Sequence, residues 1–224
     1  MDCGILYVAT GERYCAEANL SASSVRNVMP DIPITIHTDS TNHLDIRLFD
    51  HIENLDQPTY SFFDKITPLC HSPYQKTLFL DTDTLVLESV YELFNVLEKF
   101  ELTYCHAPDR GADNPKLLSV CPIAFVEPNT GVMSYRNTDR IANLFKNWST
   151  YYQSLLAEIP RRVRHDQPAL RKVLYDSDIR FLVLPPEYNL RTPKPIFKGR
   201  MPAKILHGRE PTLSRALKVM KNNN

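Results

Sequence analysis

The sequence predicts an α/β sandwich with a mainly parallel central sheet flanked by helices. Three observations carry this. Short apolar runs of strand length alternate with segments whose apolar residues recur at helical spacing. One run, Thr77 to Leu87, begins as the kind of apolar strand that is buried on both faces, breaks at Asp81 and Asp83, and resumes with Leu85, Val86 and Leu87. Finally, Thr10-Gly11, Asp39 and Asp81 to Asp83 all fall at predicted strand ends, where open α/β sheets bind their ligands.

In order, Ile5 to Ala9 is a short apolar strand, and Thr10, Gly11 and Glu12 turn out of it. Tyr14 to Asn27 carries Cys15, Ala18, Ala22 and Val25 at helical spacing. Asp31 and Pro33 restart the chain into a second strand, Ile34 to His37, ending at Thr38-Asp39, and a third short strand is placed within Ile46 to Asn54. Tyr60 to Cys70 is expected to be a helix with Phe62, Phe63, Ile66 and Leu69 on its apolar side, although Pro68 interrupts its pattern. After the central strand, Ser89 is read as the cap of a helix from Val90 to Lys99, and Leu102 to Ala107 as a strand. Arg110 to Ser119, with its Gly, Pro, Asp and Asn, is expected to be a surface loop. Glu127 to Gly131 reads as a turn from the apolar Ile123 to Val126 into Val132 to Tyr135. A helix from Asp139 to Leu156 holds Ile141, Leu144, Phe145, Trp148, Tyr152 and Leu155 at core spacing. Asp166 opens a further helix to Leu174, Phe181 to Leu184 is a late strand, and Ile205-Leu206-His207 and a basic helix from Leu213 close the chain.

With 224 residues, 43% of them hydrophobic and 23% charged, the chain can bury a core without staples. No stretch approaches the roughly 20 apolar residues of a membrane span. Met1-Asp2-Cys3-Gly4 opens with an acid and enters a strand directly, unlike a signal peptide. Five cysteines, with no C-x-x-C pair, read as reduced core thiols of a cytoplasmic protein. Net charge is zero but unevenly spread: from Arg191 onward nine Lys or Arg face one acid, Glu210, so this segment is +8 and Met1 to Leu190 is −8. The basic tail is either plainly solvated or closes over a phosphate, an acidic acceptor or a membrane surface, the last as a peripheral contact. Basic and aromatic residues are not interleaved as a nucleic-acid groove requires, so no nucleic-acid partner is expected.

The pair Asp81 and Asp83 carries the chemistry. Side chains two apart on an extended chain point the same way. Two carboxylates about 6 Å apart repel by about 3 kcal/mol at an effective dielectric near 20. Protonating one of them relieves this, and so does a hard divalent cation, which takes oxygen ligands and leaves positions open for phosphate. His207 reads either as an imidazole ligand to the same ion or as a lone histidine packed at a strand end.

These residues resemble a known family. Leu78 to Val86 is similar to the D-x-D strand of GT-A glycosyltransferases of family 8, the class of glycogenin and the bacterial lipooligosaccharide galactosyltransferases. Asn129-Thr130-Gly131-Val132 resembles that family's N-x-G-V segment, Asp166-Gln167 its D-Q pair, and Leu184 to Asn189 its L-P-x-x-Y-N segment. Ile205-Leu206-His207 resembles its late strand ending in a metal-binding histidine. Order and rough spacing agree across nearly the whole chain. The resemblance implies one GT-A (Rossmann-like) domain over residues 1–224, with a basic C-terminal segment from about 191. It also implies a nucleoside-diphosphate sugar donor, most commonly UDP-linked, Mn2+ or Mg2+ as cofactor, and retention at the anomeric carbon.

Carried over by position, Asp81, Asp83 and His207 would hold the metal. Ala9, Thr10, Gly11 and Tyr14 would wrap the base and ribose, with Tyr14 stacking on the base or serving as an ordinary helix residue. Asp39, Lys65, Thr82, Asn129 and Gly131 count with the donor contacts. Asp166 either contacts sugar hydroxyls or acts as base, or simply caps a helix whose first turn holds Pro168; Gln167 would lie near the anomeric carbon. The family's histidine is usually followed by a glycine and then Lys-Pro-Trp. Here Gly208-Arg209-Glu210-Pro211 follows, which makes Arg209 the candidate for the diphosphate clamp.

The expected function is metal-dependent sugar transfer to an acceptor hydroxyl on a glycan, a lipid or a protein. A haloacid-dehalogenase-like phosphatase using Asp81 is the first alternative, since an apolar strand followed by D-x-D-x-T also describes its nucleophile strand. Its motif, however, belongs near the start of the chain, and no late acidic pair is present for its Mg2+. A sugar nucleotidyltransferase would need a Gly-rich basic loop after the first strand, and the chain has six glycines in all. A non-catalytic sugar-nucleotide-binding domain is the remaining reading.

Overall fold

The structure, a computed structural model, describes residues 2–107, 119–158, 165–193 and 203–222. Among the described residues, ten strands run in chain order as β1 (Cys3–Ala9), β2 (Ile34–Thr38), β3 (His51–Asn54), β4 (Lys76–Leu80), β5 (Thr84–Val86), β6 (Leu102–His106), β7 (Pro128–Arg136), β8 (Phe181–Leu184), β9 (Leu190–Arg191) and β10 (Ile205–His207). Six α-helices are interspersed: α1 (Glu12–Val28), α2 (Ile66–Cys70), α3 (Glu92–Val96), α4 (Asp139–Glu158), α5 (Gln167–Tyr175) and α6 (Thr212–Asn222). Seven strands form one sheet in the order β3-β2-β1-β4-β7-β6-β8, and all but β7 point the same way. The mainly parallel sheet expected from the sequence is therefore present, with one reversed strand near its middle. A small second sheet, β5-β10-β9, lies beyond the end of β4.

Alternation along the buried strands feeds two cores. Ile5, Tyr7, Leu78 and Leu80 pack with Ala18, Ala22 and Val25 of α1 and Leu93 and Phe94 of α3. Leu6, Phe79, Met133 and Tyr135 pack with Ile66 and Leu69 of α2, Phe145 and Trp148 of α4 and Leu170 of α5. No helix among the described residues is long and apolar enough to cross a membrane.

Several expected boundaries differ. Tyr60 to Cys70 is a 3-10 turn, Phe62–Lys65, followed by the short α2, whose first turn accommodates Pro68. Ser89 does not cap α3, which starts at Glu92 and ends at Val96. Glu127 to Gly131 is not a turn: Asn129 and Gly131 lie inside the continuous strand β7. The register there shifts, with Tyr104 opposite Met133 but Cys105 opposite Asn129, so Thr130 to Val132 are extra residues on the β7 side. These residues lean to β4, where Asp81 N–H donates to Gly131 O at 2.7 Å. Apart from Ser119, the loop expected at Arg110 to Ser119 lies outside the described residues, as does part of the basic C-terminal segment.

Gly4 in β1 lies against Tyr74. A Cβ there would stand 2.3 Å from the Tyr74 ring, which is fully buried and held by a 2.6 Å hydrogen bond between its hydroxyl and Thr35. Gly4→Ala should cost about 1–3 kcal/mol through overpacking, read as a lower urea midpoint at unchanged slope.

Candidate active site

Asp81 and Asp83 sit on the turn between β4 and β5, at the carboxyl end of the sheet. This segment is not the extended strand that the sequence suggested, yet both carboxylates reach one spot. β10 returns antiparallel to β5, with His207 opposite Thr84 and Gly208 N–H donating to Asp83 O at 2.9 Å. That pairing places His207 Nε2 3.2 Å from Asp83 Oδ1 and 3.8 Å from Asp81 Oδ2.

The imidazole is held from behind. Asn129 Oδ1 accepts from Gly131 N–H and from Asn189 Nδ2, each at 3.0 Å. Asn189 Oδ1 is thereby turned to His207 Nδ1, 2.8 Å away, and assigned as the acceptor of its proton. Nε2 is the nitrogen left to face the carboxylates. One ligand atom from each of Asp81, Asp83 and His207 lies within 4.8 Å of the others. Gly131 forms a cradle beneath them: a Cβ on it would stand 2.1 Å from His207 Cε1 and 2.7 Å from Asp81 Oδ2. Two carboxylates and an imidazole on a wall without a side chain fit a hard divalent cation, with the nitrogen suited to Mn2+.

Charge around the triad is uneven. Burial works to raise the Asp83 carboxyl, but the His207 ring and the guanidinia of Arg209 and Arg191 outweigh it and hold it well below the usual carboxylate range. Burial raises Asp81, and Lys65 and His207 only partly oppose this. Lys65 is 6% exposed and joins the triad to a second cluster. Its ammonium lies 3.4 Å from Asp81 Oδ1, 3.2 Å from Asp166 Oδ2 and 3.0 Å from Thr130 Oγ1. Burial would strip its proton, yet Asp166 and Asp81 raise its pKa instead. Asp166 stands at the N-cap position of α5 but makes no capping bond with its side chain. Its carboxylate turns to Lys65, and Trp148 Nε1 donates to its carbonyl at 3.0 Å.

At the other end of the cleft, the register Ala9 opposite Thr38 brings Asp39 beside the turn after β1. Gly11, at φ +86°, donates its N–H to Asp39 Oδ1 at 2.8 Å. The Tyr60 hydroxyl donates to Asp39 Oδ2 at 3.1 Å. Thr10 Oγ1 and the backbone amides of Thr59 and Tyr60 all donate to Asp64. Tyr60 has a φ of +54°, rare for a side chain of its bulk, and the residue is 66% exposed. Tyr14, partly exposed, has the Arg209 guanidinium 5.6 Å from its ring centroid. Arg209 donates to both Glu17 oxygens at 2.8 and 2.9 Å and lies 3.0 Å from Asp83 Oδ2. Thr82 Oγ1 also donates to Glu17, at 3.2 Å.

These side chains line a cleft of about 990 Å³. Thr10, Tyr14, Lys65, Asp81, Thr82, Asp83, Asn129, Asp166, Gln167, His207 and Arg209 line it, while Ala9, Gly11, Asp39 and Gly131 do not, although Gly11 and Asp39 bond to each other and Gly131 lies against His207 and Asp81. The sequence reading did not single out four residues of the same site: Glu17, Tyr60, Asp64 and Arg191. Glu17 had a local signal, since it lies one helical turn after Tyr14 and so on the same face.

No protein-family model matches the sequence, and no curated protein matches it. In structure, the chain is similar to the galactosyltransferase LgtC in complex with donor and acceptor sugar analogs, with 16% identity, a TM-score of 0.67, and coverage of 100% of this chain and 96% of that one. It is also similar to mouse xyloside xylosyltransferase 1 in its apo form, with 16% identity, a TM-score of 0.65, and coverage of 95% of this chain and 99% of that one. The fold is that of the GT-A glycosyltransferases, as the sequence motifs implied.

Proposed function

We propose that this protein is a metal-dependent glycosyltransferase that moves a sugar from a nucleoside-diphosphate donor, a UDP-sugar, to an acceptor hydroxyl with retention. The observation that carries the reading is the Asp81-Asp83-His207 triad on its Gly131 cradle, opening into a cleft that also holds Asp166 and Lys65. The shared fold with LgtC, whose structure holds donor and acceptor sugar analogs, supports it. Nothing in the geometry favours the phosphatase or the non-catalytic alternative.

In this reading Mn2+ or Mg2+ at the triad supplies positive charge to the leaving diphosphate. The chain's own residues do the rest. Thr10, Gly11, Tyr14 and Asp39, with Tyr60 beside them, hold the base and ribose. Asp166, whose buried carboxylate is paired with Lys65 and faces the cleft, accepts from sugar hydroxyls, and Gln167 lies near the anomeric carbon. Asn129 and Asn189 orient His207. Lys65 stands between Asp81 and Asp166 and holds both in place. Arg209, with its guanidinium already shared by Glu17 and Asp83, ties the segment after β10 to α1 beside the diphosphate. The acceptor is a glycan, a lipid or a protein. The setting is the cytoplasm, with the basic helix α6 available for peripheral contact with an acidic membrane surface.

The test is a melting series with nucleotide sugars, with and without Mn2+. A UDP-sugar at about 100 times its Kd should stabilise wild type by about 2.7 kcal/mol, roughly 5–10 °C for a domain of this size, only when Mn2+ is present. Asp83→Ala should abolish that metal-dependent shift. An undiminished shift in the variant would remove the triad from the donor site.

A further inference from the structure

β9 pairs parallel with β10 so that Arg191 lies directly opposite His207. Neighbouring strands are about 4.8 Å apart, and paired residues share a face, so this register sets the two side chains next to each other. Arg191 Nη1 stands 3.1 Å from His207 Nε2. The Asn129-Asn189 relay accepts the Nδ1 proton of His207 in a hydrogen bond, so in the neutral ring the lone pair that Arg191 meets at Nε2 is the one an ion would need. One lone pair serves one partner at a time. That same Nε2 lies 3.2 Å from Asp83 Oδ1, and Arg191 and Asp83 line one cleft, so the guanidinium brings positive charge beside the triad.

Resting on the donor reading above, we propose that Arg191 guards the metal site and binds the donor. Without an ion its guanidinium occupies His207 Nε2 and adds positive charge beside Asp83. When Mn2+ binds, the guanidinium is displaced and its planar fork turns to the oxygens of the donor diphosphate, which arrive at the same ion. Arg191 lines the cleft, so this needs a change of side-chain rotamer and no strand movement. A guanidinium suits that second role because it bonds phosphate oxygens in pairs. Arg209 is less free to do so, since two of its nitrogens are committed to Glu17 and the third to Asp83.

The two roles give opposite signs for one substitution. Arg191→Met keeps a stem of similar length and removes the charge. Calorimetric titration with Mn2+ alone should show it binding the ion about ten-fold tighter than wild type. Titration with UDP in saturating Mn2+ should show the same variant binding about ten-fold weaker. Arg191→Lys, which keeps a charge but not the fork, should fall between them in both titrations. Mn2+ binding that is unchanged or weaker in Arg191→Met would overturn the guarding role, and unchanged UDP binding would overturn the donor role. If wild type and Arg191→Met both fail to bind Mn2+ and UDP at millimolar concentration, the donor reading falls together with this one. Wild-type binding that Asp83→Ala abolishes while Arg191→Met leaves it unchanged would sink the Arg191 assignment alone.

Discussion

Replacing Lys65 by methionine should destabilise the protein by about 3–5 kcal/mol near neutral pH, the cost of removing one partner from a buried ionic cluster. The ammonium serves Asp81 and Asp166 together, and the Asp166 side chain is 3% exposed. Methionine fills the same channel with a stem of similar length, so lost packing contributes little and the carboxylates dominate. Protonation of Asp81 then sets a pH dependence. Burial already raises Asp81 in the wild type, and Lys65 is the first of the charges opposing that rise. Without it, the Asp81 carboxyl titrates higher still in the folded state, above the roughly 3.9 of an unfolded aspartate. The folded form then binds more protons than the unfolded one, so the variant loses stability as pH rises. The deficit should be small near pH 4 and grow as pH rises through the raised Asp81 value. Urea unfolding followed by the fluorescence of Trp148, the chain's one tryptophan, measures this, and the indole reports on the site because it bonds the Asp166 carbonyl. A loss below about 1 kcal/mol at every pH would show that Lys65 does not compensate these acids.

What the sequence could and could not reveal follows from how each residue is positioned. Strands such as Phe181 to Leu184 and Ile205 to His207 were legible because a short apolar run bounded by turn residues has few other uses. The Asp81-Asp83 pair was legible for a related reason: acids at the end of a buried run need a partner. Asn129 to Gly131 misled because Asn-Thr-Gly is turn chemistry in isolation. The β7 strand overrides that preference by pairing on both sides, and it spends the extra residues on a shift toward Asp81. Glu17 showed its face but not its partner, Arg209, which lies across almost the whole chain. Arg191 was hidden for a longer-range reason: it meets His207 only through the register of β9 on β10. Register between distant strands has no local signature, so residues placed by it have to be seen.

Gly131→Ala should weaken Mn2+ binding by about 100-fold, at the upper end of what disturbing a ligand's support costs. The backbone tolerates alanine, since Gly131 lies in β7 and is not among the glycines with positive φ. The obstacle is space: the new methyl would stand 2.1 Å from His207 Cε1, 2.9 Å from its Nδ1 and 2.7 Å from Asp81 Oδ2. The ring cannot yield cheaply, because it is 2% exposed and Asn189 holds its far nitrogen. Relief must come from breaking the Asn189 bond or pushing Asp81 toward Lys65, and either move opens the triad. The same crowding should cost about 1–3 kcal/mol of stability without metal. A double-mutant cycle separates this from a general packing defect. His207→Ala alone removes the imidazole ligand and the main clash together, so adding Gly131→Ala to it should cost much less stability than the same change in wild type. Additive losses would mean that the glycine is needed for the path of β7 itself, and that its position against the metal ligands is incidental.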